Sequence, residues 1–412
     1  MSVAVGHADR REPLRAYLSG LLLPGERKSV EPMAAKLDPL HVQARHQSLH
    51  HFVAQAPWPE QEMLRVARDY ALVAFERHAP VAAWVVDDTG IPKKGSHSVG
   101  VAHQYCGVLG KSANCQVAVT VSLVNAALSV PSGFRLYLPE GWAQDPSRRK
   151  AAGVPSEVEF QTKGTIALAE IDELLAEEIP VAPVVADAGY GASTAFREAL
   201  TERGLAYVVG ILPETGLWAP GEEPLPPLPF KGLGRPPKLL RRTTKHRPVS
   251  ARELAQRLPR TAWKTIRWRD GTKGMMLSRF AAIRVRAAHR DHERTESREP
   301  EWFLVQWPAG EKEPTKYWLS TVPEEVALED LVRLAKIRWR IERDFQELKD
   351  EFGLDHYEGR GWRGFHHHAA LCIAAYAFVA AERARLSPPA PVAFLRSPHL
   401  PKDFRPRGSA AS

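Results

Sequence analysis

The sequence predicts a mixed α/β protein: a sheet flanked by helices, with a helical region ahead of it and a Pro-rich, basic, strand-bearing interruption inside it. Three observations predict this. Apolar residues recur at helical spacing over residues 1 to 80. From residue 81, short apolar runs and helical segments follow in the order three strands, a helix, then strand, helix and strand. Over residues 212 to 318 that order is broken by Pro, Gly and basic side chains. At 412 residues the chain is also too long for one core, since cores stop growing at about 250–300 residues.

The elements follow in order. Leu14, Tyr17, Leu18 and Leu21 share a helical face before the Pro24-Gly25 break, and a second helix starts after Pro59, with Met63, Val66 and Tyr70 on one side. The intervening GERKSVEPMAAKL and ARHQSLHHF mix basic side chains with helix formers. They read either as a solvated helical surface or as a DNA-contacting one, without a helix-turn-helix signature. VAAWVVDD, from Val81, is a buried strand closed by two acids, and strand-like runs follow at Cys115 to Leu123 and Phe134 to Leu138. A helix from Thr165 to Glu178 leads to a strand ending at Asp187. Gly189-Tyr190-Gly191 then turns the chain into a helix over Thr194 to Arg203, and LAYVVGI forms the next strand. Pro213 to Pro237 is an extended connection, with short strands expected at Trp263 to Trp268 and Ala281 to Val285. The charged tract Ala287 to Glu301 reads as a solvated loop. WFLVQW and KYWLS read as strands ahead of one long helix from Pro323 to Phe352, then an apolar helix from His366 to Arg385 and a Pro-rich tail, 387 to 412, expected to be disordered.

Composition excludes several classes. With 44% hydrophobic and 25% charged residues, the chain is neither wholly disordered nor fibrous nor a coiled coil. Its longest apolar run, Ala369 to Ala381, is shorter than the roughly 20 residues of a membrane-spanning helix. Three cysteines without C-x-x-C spacing point to a reducing cytoplasm and to small core side chains. The net charge of +8 is uneven. Lys231 to Arg290 carries 18 Lys or Arg against two acids, a local +16, which leaves 38 bases against 46 acids, or −8, elsewhere. Such a block usually meets a polyanion, and Arg241, Arg242, Lys245 and Arg247 are its candidate DNA contacts.

Three carboxylates stand out: Asp87 or Asp88 on the first core strand, Asp187 at the end of another, and Glu342 in LVRLAKIRWRIERDFQELK. Acids at strand ends beside a helix-borne Glu suit two hard cations held about 3.5–4 Å apart for phosphodiester chemistry. Strand-end acids are also common turn and helix caps. Arg338, Glu342 and Lys349, at offsets 0, 4 and 11, fall on one helical stripe, so two cations flank one carboxylate. An exposed face laced with ion pairs has the same pattern.

RWRIERDFQELK resembles the acid-bearing helix of insertion-sequence DDE transposases, whose signature runs Tyr, Arg, Glu, Lys. Arg338, Glu342 and Lys349 match it, and Ala335 stands where the Tyr would be. With DDTGIPKKGSHSVGVAHQYCGVLGKSANCQVAV, VVADAGYG and LDHYEGRGWRGFHHHAAL, the chain resembles the insertion-sequence family seven-oh-one over about Tyr17 to Arg385. The resemblance implies a ribonuclease-H-like core interrupted by a largely β insertion, with Asp88, Asp187 and Glu342 as catalytic and metal-binding acids. Because adjacent strand residues face opposite ways, only one of Asp87 and Asp88 enters such a site, and the family pattern favours Asp88. The implied organisation is a helical region 1–80, core 81–211, insertion 212–318, core 319–386 and tail 387–412.

The implied activity is metal-dependent cleavage at element ends and strand transfer, with two Mg²⁺ ions (Mn²⁺ as substitute), terminal inverted repeats and target DNA as partners, a homodimer on paired ends, and a bacterial cytoplasm without membrane attachment. Lys93, Lys94, Arg338 and Lys349 are candidate phosphate contacts. Trp318 is one of five tryptophans, with Trp263, Trp268, Trp302 and Trp307, that could stack on a flipped base or fill the core. Consecutive residues His366, His367 and His368 point about 100° apart on a helix, so they are read as non-ligands. A catalytically inactive DNA-binding relative and a nuclease that does not join strands are the alternatives.

Overall fold

The computed structural model describes residues 1–230, 232, 235–271 and 274–387. The Pro-rich tail beyond Ser387 lies outside the described residues, as do Lys231 and Lys273 of the basic block. The described chain forms two compact units, one of residues 1–181 with 338–387 and one of residues 182–337.

The first unit opens with α1 (Arg11–Leu22), α2 (Val30–Leu37), α3 (Val42–Ala54) and α4 (Glu60–His78). On α1 the face read from the sequence is the buried one, with Leu14, Tyr17 and Leu21 inside; on α4 the buried face is Met63, Ala67, Ala71 and Ala74, while Val66 and Tyr70, read on the same side as Met63, are half-buried. Four strands follow, β1 (Ala83–Pro92), β2 (Ala102–Cys106), β3 (Lys111–Val124) and β4 (Ser129–Leu136), then the short α5 (Glu140–Ala143) and α6 (Pro146–Ala152), and α7 (Lys163–Ala176). β3 is central. One edge takes β1 antiparallel along its length, and the other takes β2 on its first half and β4 on its second. Every β3 residue from Cys115 to Val124 is buried, which is why the stretch reads as a continuous apolar run.

In the second unit the chain runs through β5 (Val184–Ala186), α8 (Ala188–Gly191), α9 (Thr194–Glu202), β6 (Tyr207–Ile211), β7 (Gly216–Trp218), β8 (Val249–Ser250), α10 (Ala251–Gln256), β9 (Lys264–Gly271), β10 (Gly274–Ala287), β11 (Glu301–Trp307), β12 (Lys316–Ser320) and α11 (Leu328–Lys336). β5 and β6 are parallel; β12, β11 and β10 continue from β6 as antiparallel neighbours. The outer edge of β10 pairs with β9 and then β7. Strands from the interruption thus extend the sheet that carries Asp187. The tract 287–301 is not wholly solvated. Asp291 is 2% exposed, because its carboxylate accepts the Trp218 indole N–H at 2.5 Å and the Arg242 guanidinium at 2.6 Å, and a buried charge persists only with such partners.

The long helix expected over 323–352 is two helices, α11 and α12 (Trp339–Asp350). Between them the Ile337 N–H donates to Leu334 O, three residues back, so the i→i−4 ladder lapses for a turn. α12 and α13 (Trp362–Leu386) belong to the first unit, where α13 packs along α4 and β4. The three histidines are buried in α13 and fasten separate elements. His366 Nε2 accepts the Leu136 N–H, His367 lies between Val53 O and Trp58 O, and His368 Nε2 donates to Gly353 O while Nδ1 accepts the Tyr17 hydroxyl. Burial pushes His367 and His368 down to about 4, so both are neutral core rings. The three cysteines are free and buried, as expected. Among the described residues, no helix is long and apolar enough to cross a membrane.

α7 carries a pH-dependent element. Burial pushes the Glu170 carboxyl up from 4.5 to about 7, against the pull of Arg135, whose Nε lies 2.7 Å away. The folded state therefore binds this proton more tightly than the unfolded chain, and stability is lost as pH rises from 4.5 through 7. In thermal melts, Glu170→Gln should gain on the wild type as pH rises from 5 to 8. A difference that stays constant with pH would contradict the assignment.

Candidate active site

In the first unit the site is built on β1. Asp87 and Asp88 do not end the strand as the sequence reading expected; they lie in its middle, opposite Thr120 and Val119 of β3. Strand alternation turns them to opposite faces, and each meets a different cation. Asp87, with a 16% exposed side chain, accepts the Asp88 N–H on Oδ1 at 2.9 Å and the Arg338 guanidinium on Oδ2 at 2.7 Å. Asp88, 29% exposed, is ion-paired with Lys163 at the start of α7.

α12 is fixed beside the same strand. Ile341, Asp344, Phe345 and Leu348 face the interior, where Asp344 accepts the Tyr376 hydroxyl at 2.8 Å and is also bonded by Ser129. Burial pushes Asp344 up to about 6. Both ends of the Arg338, Glu342, Lys349 stripe reach β1, Arg338 at Asp87 and Lys349 by donating to Gly90 O at 2.9 Å. Glu342, exposed in the first turn of α12, lies between them on that stripe. Lys349 is 8% exposed with its pKa lowered by burial, so its bond is a structural staple and not the phosphate contact expected of it. Arg338 is likewise engaged with a carboxylate. Lys93 is turned inward, donating to Tyr357 O at 2.8 Å, and burial lowers its pKa too; Lys94 is exposed.

In the second unit Asp187 follows β5 directly and caps α8, its Oδ1 accepting the Gly189 N–H at 2.8 Å. The glycines that follow are steric necessities. A Cβ on Gly191 would lie 2.1 Å from Gly210 O, and one on Gly210 would lie 2.7 Å from Ala188 N, so the turn holding Asp187 rests on bare β6 backbone. Trp318 is buried in β12 with the Lys336 ammonium 5.4 Å from its ring centroid, which withdraws it as a free stacking surface. Trp263, Trp268, Trp302 and Trp307 are half-buried. In the basic block Arg241 donates to Pro226 O and Arg242 pairs with Asp291, both structural uses, while Lys245 and Arg247 are exposed.

A family model described as DDE superfamily endonuclease matches residues 1–275, about two thirds of the chain. The chain belongs to the DDE superfamily endonucleases. It is also 36% identical, over 166 residues, to the probable transposase for insertion sequence element IS701 of Microchaete diplosiphon; the match covers 40% of this chain and 40% of that protein. The part of this DDE endonuclease matched by the family model contains Asp87, Asp88 and Asp187 and ends before Glu342. It also contains Lys163, which the sequence reading missed. The signal for it was a lysine at the first position of a Thr-capped helix, where the macrodipole disfavours a positive charge and a nearby carboxylate is needed to offset it.

Proposed function

We infer that the chain is a DNA transposase that cuts the ends of an insertion sequence and joins them to target DNA, with Asp88, Asp187 and Glu342 as its acids. The observation that carries the reading is the match of residues 1–275, which hold Asp88 and Asp187, to the DDE superfamily endonuclease model; α12, which bears Glu342, is fastened to β1 through Arg338 at Asp87 and Lys349 at Gly90 O. The finer parts of the proposal are a ribonuclease-H-like core, an insertion over about 212–318, a helical region over 1–80, a homodimer on paired terminal repeats and a bacterial cytoplasmic setting.

The donor set suits divalent cations. The proposed ligands are three carboxylates, the hard oxygen donors that Mg²⁺ and Mn²⁺ prefer; among the described residues no three His, Cys, Asp or Glu side chains are grouped to hold a metal ion, so the fit is one of ligand chemistry, and Asp88 already holds a positive charge, the Lys163 ammonium. The chemistry such ions supply when bound is activation of water or a 3′-hydroxyl and stabilisation of the departing oxygen. The chain's own part is positioning. Arg338 fixes the Asp87 side chain and the first turn of α12, Lys349 fixes the last turn, and the Asp187 turn is braced on β6. Lys94, Lys245 and Arg247, exposed cations, bind phosphates without reading sequence.

The test combines the purified chain, Mg²⁺ or Mn²⁺, a DNA fragment bearing the terminal repeat, and a target plasmid. Cleaved and joined products are expected, lost with chelator and in Glu342→Ala while DNA binding persists. Cleavage without joining would identify a nuclease, and binding with neither an inactive DNA-binding relative. In the same binding assay, replacing Lys245 and Arg247 by Ala should lower the salt slope by about 1 for each phosphate that is no longer neutralised.

A further inference from the structure

We propose that Lys163 is a built-in counter-ion for the first acid: its ammonium occupies Asp88 in the metal-free protein and is displaced when a divalent cation binds. The proposal rests on reading Asp88 as a metal ligand. Three observations support it. Lys163 crosses from α7 to β1 to pair with Asp88, one of two adjacent acids that each meet a separate cation. It occupies the first position of α7, behind the Thr162 cap, where the helix dipole opposes its charge, so its location is explained by the carboxylate and not by the helix. The two side chains are 34% and 29% exposed, so the pair is reachable from solvent and weakly held.

That weakness suits the role. A buried pair would resist exchange, whereas a half-exposed one holds the carboxylate in place and neutral until a stronger cation arrives. The pair competes with the metal only by its own small worth, up to about fivefold in affinity. The Tyr137 ring lies 5.7 Å from the ammonium, beside the lysine.

Binding of Mn²⁺ to the full chain, followed by the electron paramagnetic resonance signal of free Mn²⁺, tests the proposal without any DNA reaction. Lys163→Met should bind Mn²⁺ more tightly than the wild type, by up to about fivefold. Lys163→Arg, which keeps the charge, should bind like the wild type. A Met variant that binds no more tightly, or an Arg variant that gains as much as Met, overturns the proposal. Asp88→Asn examines the underlying assignment separately: wild-type Mn²⁺ affinity there would remove Asp88 as a ligand, and the proposal falls with it. The wild-type protein offers a second readout. Acetylation of Lys163 by an N-hydroxysuccinimide ester, followed by peptide mass spectrometry, should accelerate on adding Mn²⁺, and a rate unchanged at saturating Mn²⁺ also overturns the idea.

Discussion

Asp88→Asn is expected to slow Mg²⁺-dependent DNA cleavage by on the order of 10³-fold or more, because on the proposed assignment it removes a metal ligand and with it several kcal/mol of transition-state stabilisation, at about 1.4 kcal/mol per tenfold. Asp87→Asn should behave differently. Both Asp87 oxygens serve the fold, one accepting the Asp88 N–H and the other the Arg338 guanidinium, so its carboxylate positions its neighbours. Losing the charged partner of Arg338 should cost about 1–3 kcal/mol of stability and loosen the first turn of α12, with a smaller fall in rate. Single-turnover cleavage beside thermal unfolding separates the two. An inactive, stable Asp87→Asn with an active Asp88→Asn would move the first acid to Asp87.

The ambiguity between these two residues shows what the sequence could carry. That adjacent acids on a strand face opposite ways follows from the two-residue period alone, and the structure bears this out with a different cation for each. The strand's end was not legible, since DDTGIP carries turn-forming residues. Pairing with β3 overrides them as far as Pro92, which sits at the end of β1, where a missing N–H costs least. The Arg338, Glu342, Lys349 stripe was legible from helical spacing, but not its target. Whether a cation grips phosphate or a backbone carbonyl depends on what the fold brings to it, and for Lys349 that is Gly90 O.

Charge counting was weakest where charges are buried. Arg242 stands in the block read as DNA-contacting and Asp291 in a tract read as solvated, yet together with Trp218 they form a satisfied cluster around the buried Asp291 carboxylate. Composition records how many charges a segment has and nothing of which ones meet. Lys163 was missed for a related reason: its place at the start of a Thr-capped helix signals that some carboxylate is near, but not which one. The histidine run is legible as non-ligating because helix geometry alone decides it: successive positions reach different neighbours, and here they reach β4, the end of α3 and α1.

The same geometric reasoning predicts the second large effect, at Gly191 and Gly210. A methyl group on Gly191 meets the Gly210 carbonyl oxygen at 2.1 Å and Val209 Cβ at 2.7 Å; one on Gly210 meets Ala188 N at 2.7 Å and the Asp187 carbonyl carbon at 3.0 Å. Most of these obstacles are backbone, so neither substitution can be absorbed by a rotamer change, and α8 must lift from β6. Overpacking of this kind costs typically about 1–3 kcal/mol. The displacement falls on the turn whose Asp187 caps α8 through the Gly189 N–H, so the carboxylate moves with the backbone. Gly191→Ala and Gly210→Ala should therefore lower the melting temperature and reduce cleavage further than the stability loss explains, since a misplacement of about 1 Å at a reacting centre can cost 10²-fold. Gly141→Ala, inside α5 where a Cβ meets nothing within 4 Å, is the control and should not destabilise, gaining about 0.4–1 kcal/mol. Full activity in a destabilised Gly210→Ala, measured well below its melting temperature, would mean that the turn at Asp187 does not position a catalytic acid.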